Sequence, residues 1–167
     1  MILTDVTLKD VEKIRQWRNL DLSMYRTSYF LTKEMQEDFY FNMISNRDSN
    51  SRFYALEEDN FFIGMVGLVN ISLENRNAEI SIVIDPELRG QGYGTKAIEL
   101  LLTNGFNGVN LENIYGECYW CSPALDFWRK TCETYKVKLN VLPARKFYNG
   151  KYYDSIYFNF NKEVIKC

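Results

Sequence analysis

The stretch "IDPELRGQGYGTKAIELLL", Ile84 to Leu102, sets Gly90, Gly92 and Gly94 directly ahead of a segment with helical periodicity. Ala97, Ile98, Leu101 and Leu102 fall on one helical face with Lys96 and Glu99 between them, so the glycines stand at a helix N-terminus. Glycine inside a helix costs about 0.5–1 kcal/mol relative to alanine, so this cluster marks a backbone that turns tightly or lies close against a ligand. The free N–H groups and positive dipole end of a helix N-terminus favour an anion, and a glycine-rich approach lets a phosphate reach them. An ordinary strand-to-helix turn uses the same residues, so the turn by itself leaves a phosphate cradle and a plain connector both open. Spacing removes two alternatives: the dinucleotide fingerprint G-x-G-x-x-G and the P-loop G-x-x-x-x-G-K-S/T both differ from the G-x-G-x-G found here.

Composition narrows the chemistry further. The 167 residues, 46% of them apolar, suffice for one domain with a full core, and with three prolines and no low-complexity run there is no evident linker. A single domain over 1–167 is expected. The longest apolar run, Phe61 to Val69, falls far short of the ~20 residues that span a bilayer, and "MILTDVTLKD" lacks a basic segment followed by an apolar one. The expectation is a soluble, cytoplasmic protein without membrane contact. A formal charge of −2 and no long run of like charge argue against a nucleic-acid surface. There is no histidine, which excludes Ser-His-Asp and Cys-His triads, HExxH zinc sites and an imidazole base. Carboxylates, tyrosines, cysteines, lysines and backbone dipoles are what remain.

Among the four cysteines, Cys118 and Cys121 form a C-x-x-C, with Cys132 and Cys167 elsewhere. A four-cysteine zinc site pairs two such knuckles and only one is present, so no metal is expected. A redox pair would sit at a helix N-terminus, and "SPALDFWRK" does follow Cys121, yet Cys118 itself reads as a strand residue. Small apolar packing residues in a reducing compartment are the favoured reading.

Periodicity gives the element order. "MILTDV" reads as a short strand, and Thr7 caps a helix with Leu8, Val11, Ile14 and Trp17 on one face. After a polar and aromatic loop, Thr32 opens a second helix bearing Met35, Phe39, Met43 and Ile44. Strands follow at "RFYALEE" and "FFIGMVGLVNI" about Asp59-Asn60, then at "AEISIVID" after "ENRN". The glycine turn leads into a helix ending near Phe106; "NIYGECYW" is a strand, and a helix runs from Pro123 to about Cys132 with Ser122 as N-cap. "KVKLNV" and "KYYDSIYFNF" close the chain as strands, with Asn149-Gly150 as a type I′ turn. The order β-α-α-β-β-β-α-β-α-β-β is a mixed α+β fold.

Arg89, Gly90, Gly92 and Gly94 resemble the Arg-Gly-x-Gly-x-Gly turn of the GNAT superfamily of acetyl-CoA-dependent N-acetyltransferases, and the element order matches that family across nearly the whole chain. "IRQWRN", "AEISIVIDPELRGQGYG" and "NGKYYDSIYF" are similar to the branch holding ribosomal-protein N-terminal, spermidine and nucleotide-amino-sugar acetyltransferases. The resemblance implies a central, mostly antiparallel sheet of about seven strands with flanking helices and a V-shaped splay between strands 4 and 5. It implies acetyl-CoA as cosubstrate, its pyrophosphate held by the turn Arg89, Gly90, Gln91, Gly92, Tyr93, Gly94 and Thr95. Its pantetheine arm would lie along Ile82, Val83 and Ile84, where a backbone N–H can stabilise the thioester oxygen.

The implied reaction is direct attack of a primary amine on acetyl-CoA, and an alkylammonium of pKa ~10 must first lose a proton. Glu79 matches a carboxylate that several family members use as base; the alternative is a strand-end glutamate paired with a neighbour such as Arg76. Trp128 stands where many relatives carry the tyrosine that protonates the leaving thiolate, and Cys121 where they carry asparagine; by the resemblance both belong to the coenzyme-binding set, while the acid falls to another tyrosine or to water. By the same resemblance Tyr25, Arg26, Tyr29, Arg145, Tyr148 and Tyr152 line the acceptor cleft, and their aromatic faces and cations suit a nucleotide-linked amino sugar. A peptide N-terminus or a polyamine would instead use Asp21, Glu34 and Glu37. A small-molecule amine is thus the expected partner, with a homodimer as the expected assembly. A non-catalytic acetyl-CoA-binding module is the alternative that the Trp128 and Cys121 departures leave open.

Overall fold

Alternation along the strands decides which layer each helix joins. Ala55 and Leu56, Met65 and Val66, Val83 and Ile84 are consecutive buried pairs whose members belong to two different apolar clusters, because successive strand residues face opposite sides of a sheet. One cluster gathers Val11 and Ile14 of α1 (Leu8–Leu20), with Phe39 of α2 (Lys33–Phe39) packed against it. The other gathers Ala97, Ile98, Leu101 and Leu102 of α3 (Tyr93–Thr103) with Trp128 and Cys132 of α4 (Leu125–Thr134). Helices thus cover both faces, which is why the central strand reads as a continuous apolar run.

The computed structural model describes residues 1–163. Its strands are β1 (Ile2–Thr4), β2 (Arg52–Glu58), β3 (Phe61–Ser72), β4 (Asn77–Ile84), β5 (Asn113–Tyr119), β6 (Asn140–Tyr148) and β7 (Lys151–Asn161). They form one seven-stranded sheet in the order β1-β2-β3-β4-β5-β7-β6. Every neighbouring pair is antiparallel except β4–β5, which is parallel. Among the described residues no helix is long and apolar enough to cross a membrane.

The local signals act largely as read. Thr7 and Asp10 form a reciprocal capping box on α1, and Thr32 caps α2 through the Met35 N–H. Asn149 and Gly150 both take positive φ, 48° and 79°, in the β6–β7 turn. Both α2 and α3 end in a single π-turn, at Tyr40–Ile44 and Asn104–Gly108.

Two boundaries differ from expectation. The strand expected over "KVKLNV" starts only at Asn140, because Lys136 takes φ 55° and the Val137 N–H donates to the Cys132 carbonyl, closing α4 with a left-handed cap. From there β6 runs on through Pro143, tolerated because β6 is an edge strand with a bulge between Leu142 and Lys146. Helix α4 begins at Leu125 with Ala124 as N-cap; Ser122, expected in that role, accepts from the Ala124 N–H at 3.2 Å instead.

The β4–β5 junction is what positions a site. Pairing is limited to Asn77 with Asn113, Ala78 with Ile114, and Glu79 with Tyr115. Beyond Glu79 the strands part, so one backbone edge of β4 from Ile80 to Ile84 has no strand beside it. At the vertex Gly116 lets the strands meet: a Cβ there would lie 2.5 Å from the Phe158 ring and 2.8 Å from Ile80 Cγ2.

Candidate active site

A cleft of about 830 Å³ occupies the splay. It runs from the glycine turn, along the free edge of β4, to an aromatic wall on the α1–α2 side that includes Phe39 and Phe53. Of the residues expected to hold a coenzyme, Ile82, Val83, Ile84, Arg89, Gly90, Gly92, Gly94, Thr95 and Trp128 line it.

The three glycines divide by role. Gly90 and Gly92 have φ of 77° and 89°, and a Cβ on either would meet nothing within 4 Å. Gly92 is the N-cap of α3, so its open side lies over the free amides of that helix. Gly94 has ordinary helical geometry, and a Cβ there would come within 3.0 Å of the Phe127 ring. Two glycines therefore shape a turn that a ligand can approach, and the third admits a neighbouring aromatic.

Several side chains of the expected set lie outside the cleft, although the contacts expected of the turn run through its backbone amides. Gln91 is exposed, with its side-chain amide donating to the Glu87 carbonyl at 3.0 Å, and Tyr93 turns to Glu58. Neither side chain lines the cleft. Cys121 lies beyond it, its thiol 3.7 Å from the Ser23 carbonyl. Trp128 does line the cleft, but as a buried wall, its ring 4.6 Å from that of Phe158. Burial raises the Cys121 pKa and pushes Cys118 up to about 11 and Cys132 up to about 12, so these thiols stay protonated and pack as apolar groups. Cys167 lies outside the described residues. Among those residues no cluster of three or more metal-ligating side chains occurs.

On the acceptor side, Tyr25 and Arg26 line the cleft, whereas Tyr29, Arg145, Tyr148 and Tyr152 do not. Tyr29 points to solvent, and Tyr152 packs at 5.2 Å against the tilted Phe147 ring on the outer hairpin. Lys146 sits under the Tyr148 ring at 5.7 Å. Arg145 donates to Glu117 at 2.9 Å. The carboxylates suggested for a cationic acceptor are also displaced. Asp21 caps its own turn through Ser23, Glu37 pairs with Lys33 at 3.7 Å, and Glu34 is exposed on α2.

Two other carboxylates take that place. Glu79, last of the β4 residues paired with β5, is buried in the vertex with Arg26 donating to Oε1 and Asn70 donating to Oε2 at 3.1 Å. Its partner is thus Arg26; Arg76 pairs instead with Glu112 at 2.8 Å. Across the cleft, Glu117 accepts from Arg145 and from the Ser155 hydroxyl at 2.6 Å. Burial opposes its ionisation, but these two donors outweigh burial and hold its carboxyl below the usual range. Tyr119, two residues on and therefore on the same strand face, is buried, which raises its pKa. The period-two spacing of Tyr115, Glu117 and Tyr119 was the available sequence signal for this wall.

The Leu22–Tyr25 segment that bears on the cleft is pinned from β6. The buried Lys146 donates its ammonium to the carbonyls of Leu22, at 3.1 Å, and of Tyr25.

The model of the acetyltransferase (GNAT) domain family matches residues 1–121. Spermidine N(1)-acetyltransferase of Vibrio cholerae is 26% identical over 147 residues, covering 88% of this chain and 83% of that enzyme. The Escherichia coli K12 enzyme of the same name is 38% identical over 68 residues, 41% of this chain; the match spans only 37% of that relative's length. A crystal structure of the Vibrio cholerae spermidine N-acetyltransferase in complex with CoA and spermine superposes with a TM-score of 0.84 at 22% identity, covering 98% of this chain and 96% of that one. The parted strands, the glycine turn at the head of α3 and the family match over most of the chain agree: this protein belongs to the GNAT acetyltransferase family.

Proposed function

We propose that this protein transfers the acetyl group of acetyl-CoA directly to a primary amine of a small molecule, and that a polyamine of the spermidine class is its acceptor. The observation that carries the transfer is the free edge of β4 lying between an open glycine turn and a buried carboxylate at the vertex. In this reading the amides ahead of α3 bind the pyrophosphate, and the free edge of β4 accepts the pantetheine arm as an added strand. A β4 N–H faces the thioester oxygen where negative charge develops on attack.

The amine enters opposite, toward Glu79. Arg26 is half exposed and comes from a loop, so it yields its place on Oε1 to the incoming ammonium, and Glu79 takes the proton directly or through water. Tyr119, kept protonated by burial, is the phenol on the cleft wall suited to protonate the departing thiolate, a role indole N–H of Trp128 cannot fill.

A polyamine replaces the nucleotide-linked amino sugar expected from the sequence. The relative that matches across most of the chain is a spermidine acetyltransferase. Two carboxylates, Glu79 and Glu117, also line the cleft; an incoming ammonium displaces Arg26 from the first or Arg145 from the second.

The test is thiol release from acetyl-CoA with spermidine, spermine, amino sugars, amino-sugar nucleotides and a peptide N-terminus as separate acceptors. Sustained release with the polyamines supports the assignment. Release only with another class moves the acceptor to that class, and acetyl-CoA binding without turnover across the panel leaves a binding module.

A further inference from the structure

Among the described residues, Arg18 and Arg89 have no carboxylate partner, whereas Arg26 and Arg145 on the same side of the molecule are both paired. Arg18, on the last turns of α1, is substantially withdrawn from water: its Nη2 donates to the Thr27 hydroxyl at 3.1 Å, and its guanidinium lies 5.0 Å above the Tyr25 ring. Its Nε is buried with no hydrogen-bond partner, and so is the Tyr25 hydroxyl. Arg89, arriving from the glycine turn, directs its guanidinium at that same hydroxyl and, with Arg18, favours its ionised form against the effect of burial. All three residues line the cleft.

Burying a guanidinium without an anion costs free energy that a partner would recover, and leaving its Nε–H unpaired adds to that cost. Burial does lower the Arg18 pKa, and only the hydroxyls of Tyr25 and Tyr29 act in the other direction. Such an arrangement gains from the arrival of an anion. A planar guanidinium, a second one from the facing loop and a phenol between them match a tetrahedral or planar oxyanion better than they match any cation.

We infer that Arg18, Tyr25 and Arg89 form a receptor for an oxyanion of the phosphate type, one that enters the cleft on the α1 side. The oxyanion belongs either to the coenzyme, a source that rests on the acetyl-CoA reading above, or to a phosphate-bearing acceptor, a source that would replace the polyamine reading. Arg18 and Tyr25 are binding residues in this account, contributed by a helix and loop outside the glycine turn.

The test uses Arg18→Met and Tyr25→Phe in the full chain. Calorimetric titrations with acetyl-CoA, with S-acetylpantetheine, which carries no phosphate, and with inorganic pyrophosphate need no turnover. They stay readable even if every amine fails as an acceptor. A tenfold or greater loss of acetyl-CoA and pyrophosphate affinity in Arg18→Met, with S-acetylpantetheine unchanged, supports the coenzyme as source. Acetyl-CoA affinity kept within twofold, with kcat/KM at least tenfold lower for phosphoethanolamine and unchanged for ethanolamine, supports the acceptor as source. In both cases the ligand-free variant melts no lower than the parent, since an uncompensated buried charge has been removed. If neither affinity nor acceptor preference changes in either variant, the inference is overturned, whatever the melting temperature. Such a result makes Arg18 a packing residue over Tyr25.

Discussion

Gly92→Ala separates binding from folding more cleanly than any other change at this site. The added methyl meets no atom within 4 Å, so its structural cost is confined to the backbone, which must hold φ 89° with a Cβ present. That strain is about 1–2 kcal/mol, and for a chain of this size each kcal/mol lowers Tm by roughly 2–4 °C, giving a loss of roughly 2–8 °C. The methyl projects into the space over the first amides of α3, where a pyrophosphate oxygen would sit. A hydrogen bond from an amide to a charged oxygen contributes about 1.5–3 kcal/mol, so displacing one weakens binding by about 10- to 100-fold. The assay is calorimetry with CoA beside thermal melting with and without it. A parent-like dissociation constant, or a loss of affinity fully explained by unfolding, would refute the cradle. Gly94→Val is the contrasting control, since its methyls press on Phe127 and its loss should appear in stability.

Glu79→Gln is expected to lower turnover by about 10²–10⁴-fold and to move the activity optimum to higher pH, where free amine is more abundant, while acetyl-CoA affinity is retained. An unchanged rate and pH profile returns Glu79 to a partner of Arg26 and Asn70 alone. Gly116→Ala places a Cβ 2.5 Å from the Phe158 ring, and should cost about 1–3 kcal/mol in urea unfolding with an unchanged m-value. A parent-like midpoint would mean that the vertex relaxes. Glu117 has a folded pKa below its unfolded value of about 4.3, so its contribution to stability is present above that value and is lost as pH falls through the lower folded one. Glu117→Gln should therefore flatten the acid side of the stability profile below about pH 4.3, and an identical acid limb in the two proteins counts against the Arg145 and Ser155 contacts.

The sequence by itself determined the elements and the cofactor turn, because both are written in local patterns. Helical spacing in Ala97, Ile98, Leu101 and Leu102, caps at Thr7 and Thr32, and glycines where φ must be positive all act within a few residues of chain. Tertiary structure decided who meets whom. Glu79 finds Arg26 rather than the Arg76 nearer in sequence, because β4 ends its pairing with β5 at Glu79 while the loop after α1 crosses the vertex, held by Lys146 from β6. Gly94 proves to be a packing glycine because α4 brings Phe127 against it, and no pattern within residues 84–102 contains that neighbour. The acceptor wall was misplaced for the same reason. Tyr148 and Tyr152 are close in sequence to the cleft strands, but the edge hairpin turns Tyr152 outward with Phe147 and packs Tyr148 on Lys146, while Glu117 and Tyr119 line the cleft from β5. A side chain's partner is set by contacts between residues far apart in the chain, and only the packed sheet, splayed after Glu79, fixes those distances.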